Sequence, residues 1–213
     1  MLWGSRRLVW VLGGLAPFEF DSRLAASAEW SASEGVGVSG GVTYVNQHAP
    51  YRDLPKSDRR ALRHLLRAAF PIGKSSHKLW SDFPDTTAFV RRQVEPSESG
   101  PPEGIVGGAI VMSYPAEQYD YLAYLAVLPQ HRRRGGLLRR SGRPHHGTHL
   151  MHDIYDVMRN RVTAERPQRY LMIEPAGEEA LRFYLRALPT NEYPLHFHEE
   201  ERIITLPYDG LAL

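Results

Sequence analysis

The stretch from Tyr121 to Arg161 constrains the fold more than any other part of the chain. It opens on a compact apolar run, Tyr121 to Leu128, closed by Pro129. That length, and the mix of aromatic and aliphatic residues, suit a buried strand. It ends on an amphipathic helix in which Leu150, Met151, Ile154, Val157, Met158 and Val162 share one face at helical spacing. Between the two lies a run of arginines and glycines, R-R-R-G-G-L-L-R-R-S-G-R, from Arg132 to Arg143. A strand, a glycine-containing turn and a helix N-terminus together make an anion site. The free N–H groups point at the ligand, the helix dipole favours negative charge, and glycine lets phosphate oxygens come close. Gly142 and Pro144 interrupt any helix begun at Leu137, so the functional helix is expected to start at Gly147 or Thr148.

Two phosphate-loop patterns are absent. The chain has no G-x-x-x-x-G-K-[ST], and no G-x-G-x-x-G followed by an acidic residue on a second strand. What it has is Val127, Pro129, Arg132 and Gly135 in the order V-x-P-x-x-R-x-x-G, with Gly147-Thr148 opening the helix. This resembles the acetyl-CoA site of the GNAT superfamily, the Gcn5-related N-acetyltransferases, whose pattern is [QR]-x-x-G-x-[GA] between the fourth strand and the third helix. Arg132-Arg133-Arg134-Gly135 matches its first half and Gly147-Thr148-His149-Leu150-Met151 its second. Gly136 to His146 reads as an insertion. Joining Gly135 through one residue to Gly147 restores R-R-G-x-G-T, and a looped-out surface insertion costs little closure entropy.

The rest of the chain reads in the same sense. Residues 1–40 look like an N-terminal extension, poorly ordered, with faint likeness to a secretory or mitochondrial leader: Arg6 and Arg7 precede an apolar run and small residues follow. Ser31 to Gly41 reads as a linker, and residues 41–213 as one domain. Val42 to Asn46 alternates as a first strand. Ser57 to Phe70 is an amphipathic helix capped by Ser57 or Asp58, with Leu62, Leu65, Leu66 and Ala69 on its apolar face. Lys74 to Phe83 is a short helix or irregular segment. Thr87–Gln93, Gly104–Tyr114 and Tyr121–Val127 form a meander, with Gly107 and Gly108 permitting close backbone approach. Arg169 to Glu174 is a further strand, the segment from Pro175–Glu178 to Leu188 a helix, and Tyr193 to Leu206 a hairpin turning near Glu199 to Arg202. The order β, α, α, β, β, β, α, β, α, β, β is similar to that of the GNAT fold. It implies an α/β domain with a mixed, mostly antiparallel sheet, flanking helices and a splay between the fourth and fifth strands.

That resemblance implies acetyl-CoA as co-substrate. Main-chain groups of Leu125, Ala126 and Val127 would pair with the pantetheine amides, a form of strand addition. Amides among Arg132, Arg133, Arg134, Gly135, Gly147 and Thr148 would meet the pyrophosphate. Tyr184 stands in A-L-R-F-Y-L-R-A-L, similar to the family's A-x-x-F-Y-x-x-x-G-F, whose tyrosine is a general acid for the leaving thiolate. The usual Gly-Phe is replaced here by Ala187, Leu188 and Pro189. A lysine-like acceptor amine has a pKa of about 10.4, so a base or water relay is needed. Glu174 is the candidate base, with Glu117 and Asp120 as others. Loops around Trp80, Phe83 and Tyr114 to Asp120 are expected to shape the acceptor pocket. The acceptor, a small molecule or a protein amine, is not named by the sequence.

Composition closes off other chemistry. With no cysteine there is no disulfide, thiol nucleophile or thiolate metal site. A net charge of +2 implies no global nucleic-acid or membrane field, and no apolar run is long enough to span a bilayer. His149 and His152 lie three apart on a helix, but no further ligand stands at a recognised spacing, so no metal is expected. The Arg-rich insert lacks interleaved aromatics, which favours a solvated loop over a nucleic-acid patch. Two rival readings stay open: a GNAT-like scaffold without catalysis, and a basic-loop nucleic-acid binder. The expected location is cytoplasmic, or mitochondrial or secreted if the extension is a targeting segment. A homodimer is one assembly open to the chain.

Overall fold

The structure, a computed structural model, describes residues 37–39, 42–70, 80–83, 85–94, 104–131, 145–163 and 166–208. Its frame is one eight-stranded sheet with strands in the order β1 (Gly37–Ser39), β2 (Val42–Pro50), β3 (Thr86–Val94), β4 (Ile105–Tyr114), β5 (Tyr119–Val127), β6 (Tyr170–Ile173), β8 (Ile203–Pro207) and β7 (His196–His198). Every neighbouring pair is antiparallel except β5 and β6, which run parallel. Chain order and sheet order agree as far as β6, so local turns build most of the sheet and one crossover, through a helix, makes the parallel pair.

Helix α1 (Lys56–Ala69) covers one face of the sheet, while α2 (His146–Asn160) and α3 (Glu178–Ala187) cover the other. The two cores follow from this. Leu62, Leu65 and Leu66 of α1 pack with Val90, Ile110 and Ala126 on one side. Leu150, Met151, Ile154 and Met158 of α2 pack with Phe89, Ala109, Val111 and Leu122 on the other. Strand β4 lies between them and is buried from Ile105 to Ser113. A strand buried on both faces is a continuous apolar run, not an alternation, and the sequence I-V-G-G-A-I-V-M is one.

The two glycines of that run set the distance between layers. A Cβ on Gly108 would fall on Leu62 of α1 and lie 3.2 Å from the Phe89 carbonyl oxygen. One on Gly107 would meet Leu150 of α2 at 3.7 Å.

Several expected boundaries move. Strand β1 forms inside the stretch read as a linker, pairing Gly37 to Ser39 with Val42 to Tyr44, so the sheet reaches beyond the expected domain start. Strand β2 continues four residues past Asn46, because β3 pairs with it as far as Pro50. Helix α1 is not capped by Ser57 or Asp58. Pro55 takes the cap position without a side-chain hydrogen bond, and Asp58 instead binds Arg92 at 2.5 Å. Proline suits that place because its fixed φ already matches and its missing N–H has no partner to lose. Helix α2 begins at His146, one residue ahead of the expected start, so the segment read as an insertion ends at His145. Of Lys74 to Phe83, the described part is a helical turn at Trp80 to Asp82 and a bend at Phe83; the remainder lies outside the described residues. The extension up to residue 36 lies outside them too. Among the described residues no helix is long and apolar enough to cross a membrane.

Candidate active site

The site begins with a mismatch in strand length. Strand β5 has nine residues and β6 four. They pair only from Tyr119–Tyr170 to Leu122–Ile173. Beyond Leu122 the chains part, and the β6-facing edge of β5 is left without a strand. A bulge marks the parting point: Ile110 pairs with Tyr124 and Val111 with Leu122, so Ala123 is the extra residue. Bulges bend the strand that carries them and increase its twist. This one turns the last part of β5 away from β6.

The main chain along that free edge is fixed by register. Leu128 donates its N–H to the Val106 carbonyl at 2.8 Å. Main-chain groups alternate in direction along a strand. Ala126 therefore faces β4 as Leu128 does, while Leu125 and Val127 direct their N–H and C=O to the β6 side. The three residues expected to bind an extended ligand thus divide between the two edges of β5. Ala126 is committed to the sheet.

Val127 leads toward the N-terminus of α2. A Cβ on Gly147 would lie 3.1 Å from the Phe183 ring and 3.7 Å from Val127. Glycine here lets the start of α2 nest between the end of β5 and α3. Thr148 follows in the first turn. That turn carries no acidic residue, and the cap residue His145 makes no side-chain cap hydrogen bond; the first N–H groups of a helix have no partner within the helix itself. Arg132, Arg133, Arg134 and Gly135, with the Arg-rich segment after them, lie outside the described residues.

Where β5 and β6 separate, a cleft of about 500 Å³ opens. It is lined by Ala69 and Phe70 at the end of α1, Leu125 on β5, and Ala176 to Ala180 at the start of α3. Phe70 is held edge-on against Tyr124, ring centroids 5.4 Å apart, and Tyr124 packs likewise on Trp80 at 5.4 Å. Trp80 is buried, so it supports the wall and does not line it; the loop before it, residues 71–79, lies outside the described residues.

Glu174 directly follows β6, exposed, and accepts a hydrogen bond from the Tyr121 hydroxyl at 3.3 Å. It stands two residues before the cleft lining. Tyr184 lies in the apolar cluster on the α2–α3 face, against which Leu125 also packs, and is 9% exposed. Burial pushes its phenol well above the ordinary value. The group therefore holds its proton throughout the neutral range, the state a proton donor needs. The other two carboxylates are elsewhere. Asp120 lies at the closed end of β5, roughly 17 Å along the strand from Leu125 at ~3.3 Å per residue. There it is buried and accepts the Tyr208 hydroxyl at 2.8 Å. Glu117 sits in the turn before it, and with it the Tyr114–Asp120 loop is removed from the cleft. His152 is also occupied: its ring Nε2 donates to the Ala187 carbonyl at 2.6 Å, tying α2 to α3.

One part of the site had no sequence signal. Arg91 on β3 is buried beneath the start of α2, where its Nε donates to His146 Nδ1 at 3.0 Å and Nη1 to Asn46 Oδ1 at 2.6 Å. An arginine in a strand, here followed by Arg92, reads as a solvated residue until the helix above it is placed.

His146 is pushed down to about 4, by burial first, then by Arg91 and the nearby histidines. His48 is lowered to about 4 as well, by burial and then Arg161. Both rings are neutral in the folded chain, whereas the unfolded chain takes up protons near 6.5. Their contribution is complete above about 6.5 and is lost as pH falls toward about 4, because protonation favours the unfolded state. Urea denaturation should show stability dropping between about pH 6.5 and 5, with a slope approaching two protons. His146→Asn, whose amide oxygen can still accept from Arg91, should remove about half of that slope. A flat profile would contradict the assignment.

The sheet order, the single parallel pair, its splay and the placement of the helices are those implied by the family resemblance. The chain has the GNAT fold. No family model matches this GNAT-fold chain, and no curated relative does. Solved structures similar to it include Gcn5 of Tetrahymena, at 16% identity over 72% of this chain and 88% of that one, with a TM-score of 0.46. Another is the ribosomal-protein-S18-alanine N-acetyltransferase of Escherichia coli, at 16% identity over 79% and 99%, with a TM-score of 0.45. A third is NAA60 of Arabidopsis thaliana in complex with acetyl-CoA, at 14% identity over 76% and 96%, with a TM-score of 0.44.

Proposed function

We propose that this chain is an acetyl-CoA-dependent N-acetyltransferase acting by direct transfer to an amine. The observation that carries the reading is the parting of β5 from β6 beyond Leu122, which leads from the cleft at Leu125 along β5 to the start of α2 at Gly147. That path offers main-chain hydrogen bonds for an extended pantetheine and, at its far end, N–H groups and a helix dipole for phosphate. The residues present fit the co-substrate. Leu125 and Val127 would hold the amides, and Gly147 and Thr148 the pyrophosphate.

Acetyl-CoA supplies the activated acetyl thioester that an acceptor amine attacks without a covalent enzyme intermediate. Glu174, directly or through water, takes the proton that the amine loses. Tyr184 gives its own to the departing sulfur. The acceptor is a small-molecule or protein amine, reached through the cleft between Phe70 and the start of α3. Glu179 on the rim suits a substrate that carries positive charge, while Glu178 beside it is paired with Arg182 and Arg202.

Calorimetry tests the reading. The full chain should bind acetyl-CoA with a dissociation constant on the order of micromolar, about −8 kcal/mol. Thiol release on addition of an active amine should follow. Removing residues 136–145 should leave that affinity within about threefold (~0.7 kcal/mol), as expected of a loop outside the ligand path. If the shortened chain alone binds, the segment blocks the site. If neither binds, the likeness is one of fold only and the enzyme reading falls.

A further inference from the structure

Beneath the start of α2 lies a charge that the sheet does not neutralise. Arg91 is 1% exposed. Its Nε is bound to His146, the first residue of α2, and its Nη1 to Asn46, both neutral groups. Its Nη2 has no hydrogen-bond partner. The Tyr44 ring packs against the guanidinium, 5.4 Å from Cζ to centroid. Among the described residues no ion pair joins it to a carboxylate, and the carboxylate whose charge acts on it is Asp153, two turns along α2. His131 and His149, also on this side, are held toward the neutral form by burial, and a histidine in either form supplies no negative charge to offset it.

A helix N-terminus carries roughly half a positive charge. A buried guanidinium directly below adds a full one. Stacking like charges where little water screens them is costly, and an anion on the helix end offsets both at once. Because Nδ1 of His146 accepts from Arg91, its ring proton sits on Nε2, so this first residue of the helix has a donor on its other side. Resting on the acetyltransferase reading, we propose that Arg91 is a positioning residue for the diphosphate of the co-substrate. It acts through His146 and through its field at the N-terminus of α2, supplying a positive charge from inside the sheet.

The test compares a ligand with the diphosphate and one without it. Coenzyme A and S-acetylpantetheine are titrated into the full chain and its Arg91→Met variant. The variant should bind coenzyme A about thirtyfold more weakly and S-acetylpantetheine within about twofold of the parent. Equal weakening for both ligands would mean that Arg91 only supports the fold, and no weakening would mean that it plays no part; either overturns the proposal. If Arg91→Met does not fold, the parent chain decides. Titration with inorganic pyrophosphate should shift the ¹⁵N resonances of the His146 ring, and an unperturbed ring overturns the proposal. Pyrophosphate binding without coenzyme A binding would uphold the anion site and sink the acetyltransferase reading instead.

Discussion

Replacing Tyr184 by phenylalanine should lower kcat about a hundredfold while leaving the KM for acetyl-CoA unchanged. The expected size is that of losing a positioned general acid. The substitution separates chemistry from packing. The Tyr184 ring sits in the cluster with Leu181, Ala187 and Leu188, and phenylalanine fills the same volume, so the melting temperature should stay within about 2 °C. Only the hydroxyl goes. Burial holds that phenol well above its ordinary value, so it stays protonated at any pH where the enzyme works. The rate should therefore show no falling limb from Tyr184 in the neutral range. Steady-state kinetics with an active amine checks this. Unchanged turnover would make Tyr184 a core residue and nothing more.

The largest effect on stability should come from Gly108→Val. The Cβ alone would occupy the place of the Leu62 side chain, and the Phe89 carbonyl oxygen, 3.2 Å away, is backbone and cannot swing aside. Helix α1 would have to lift from β4. Overpacking of this kind costs about 3 kcal/mol or more, and here it falls on the contact that carries Leu62, Leu65 and Leu66. The midpoint of urea denaturation should fall accordingly. Because Phe70 follows α1 and lines the cleft, any folded fraction should also lose acetyl-CoA affinity. Gly107→Ala is the control: its Cβ would meet its neighbours at 3.4 Å or more, and the midpoint should move far less.

The sequence by itself determined the elements and their order. Apolar spacing placed α1, α2 and α3 within a few residues. The runs of β-branched and aromatic residues placed β3, β4 and β5, and the turn residues around Glu199 to Arg202 placed the last hairpin. Those signals are local, set by side-chain periodicities that every helix and strand must satisfy. The strand ending at Val127 and the helix starting near Thr148 were legible for the same reason. So was the need for glycine at positions 107, 108 and 147, though not the partner of each.

Only the tertiary structure decided what those elements bring together. The bulge at Ala123, which opens the cleft, arises from a register between β4 and β5 that neither strand encodes alone. That register also divides the expected ligand edge, turning the main-chain groups of Leu125 and Val127 to the β6 side and those of Ala126 to β4. Asp120 and Glu174 are both carboxylates next to strands, indistinguishable in the sequence. The direction of β5 sets one at the closed end and the other at the open one. Arg91 and His146 are 55 residues apart and meet because α2 crosses over β3. Such contacts depend on the summed geometry of strand twist, helix docking and chain crossing, and no window of neighbouring residues contains them.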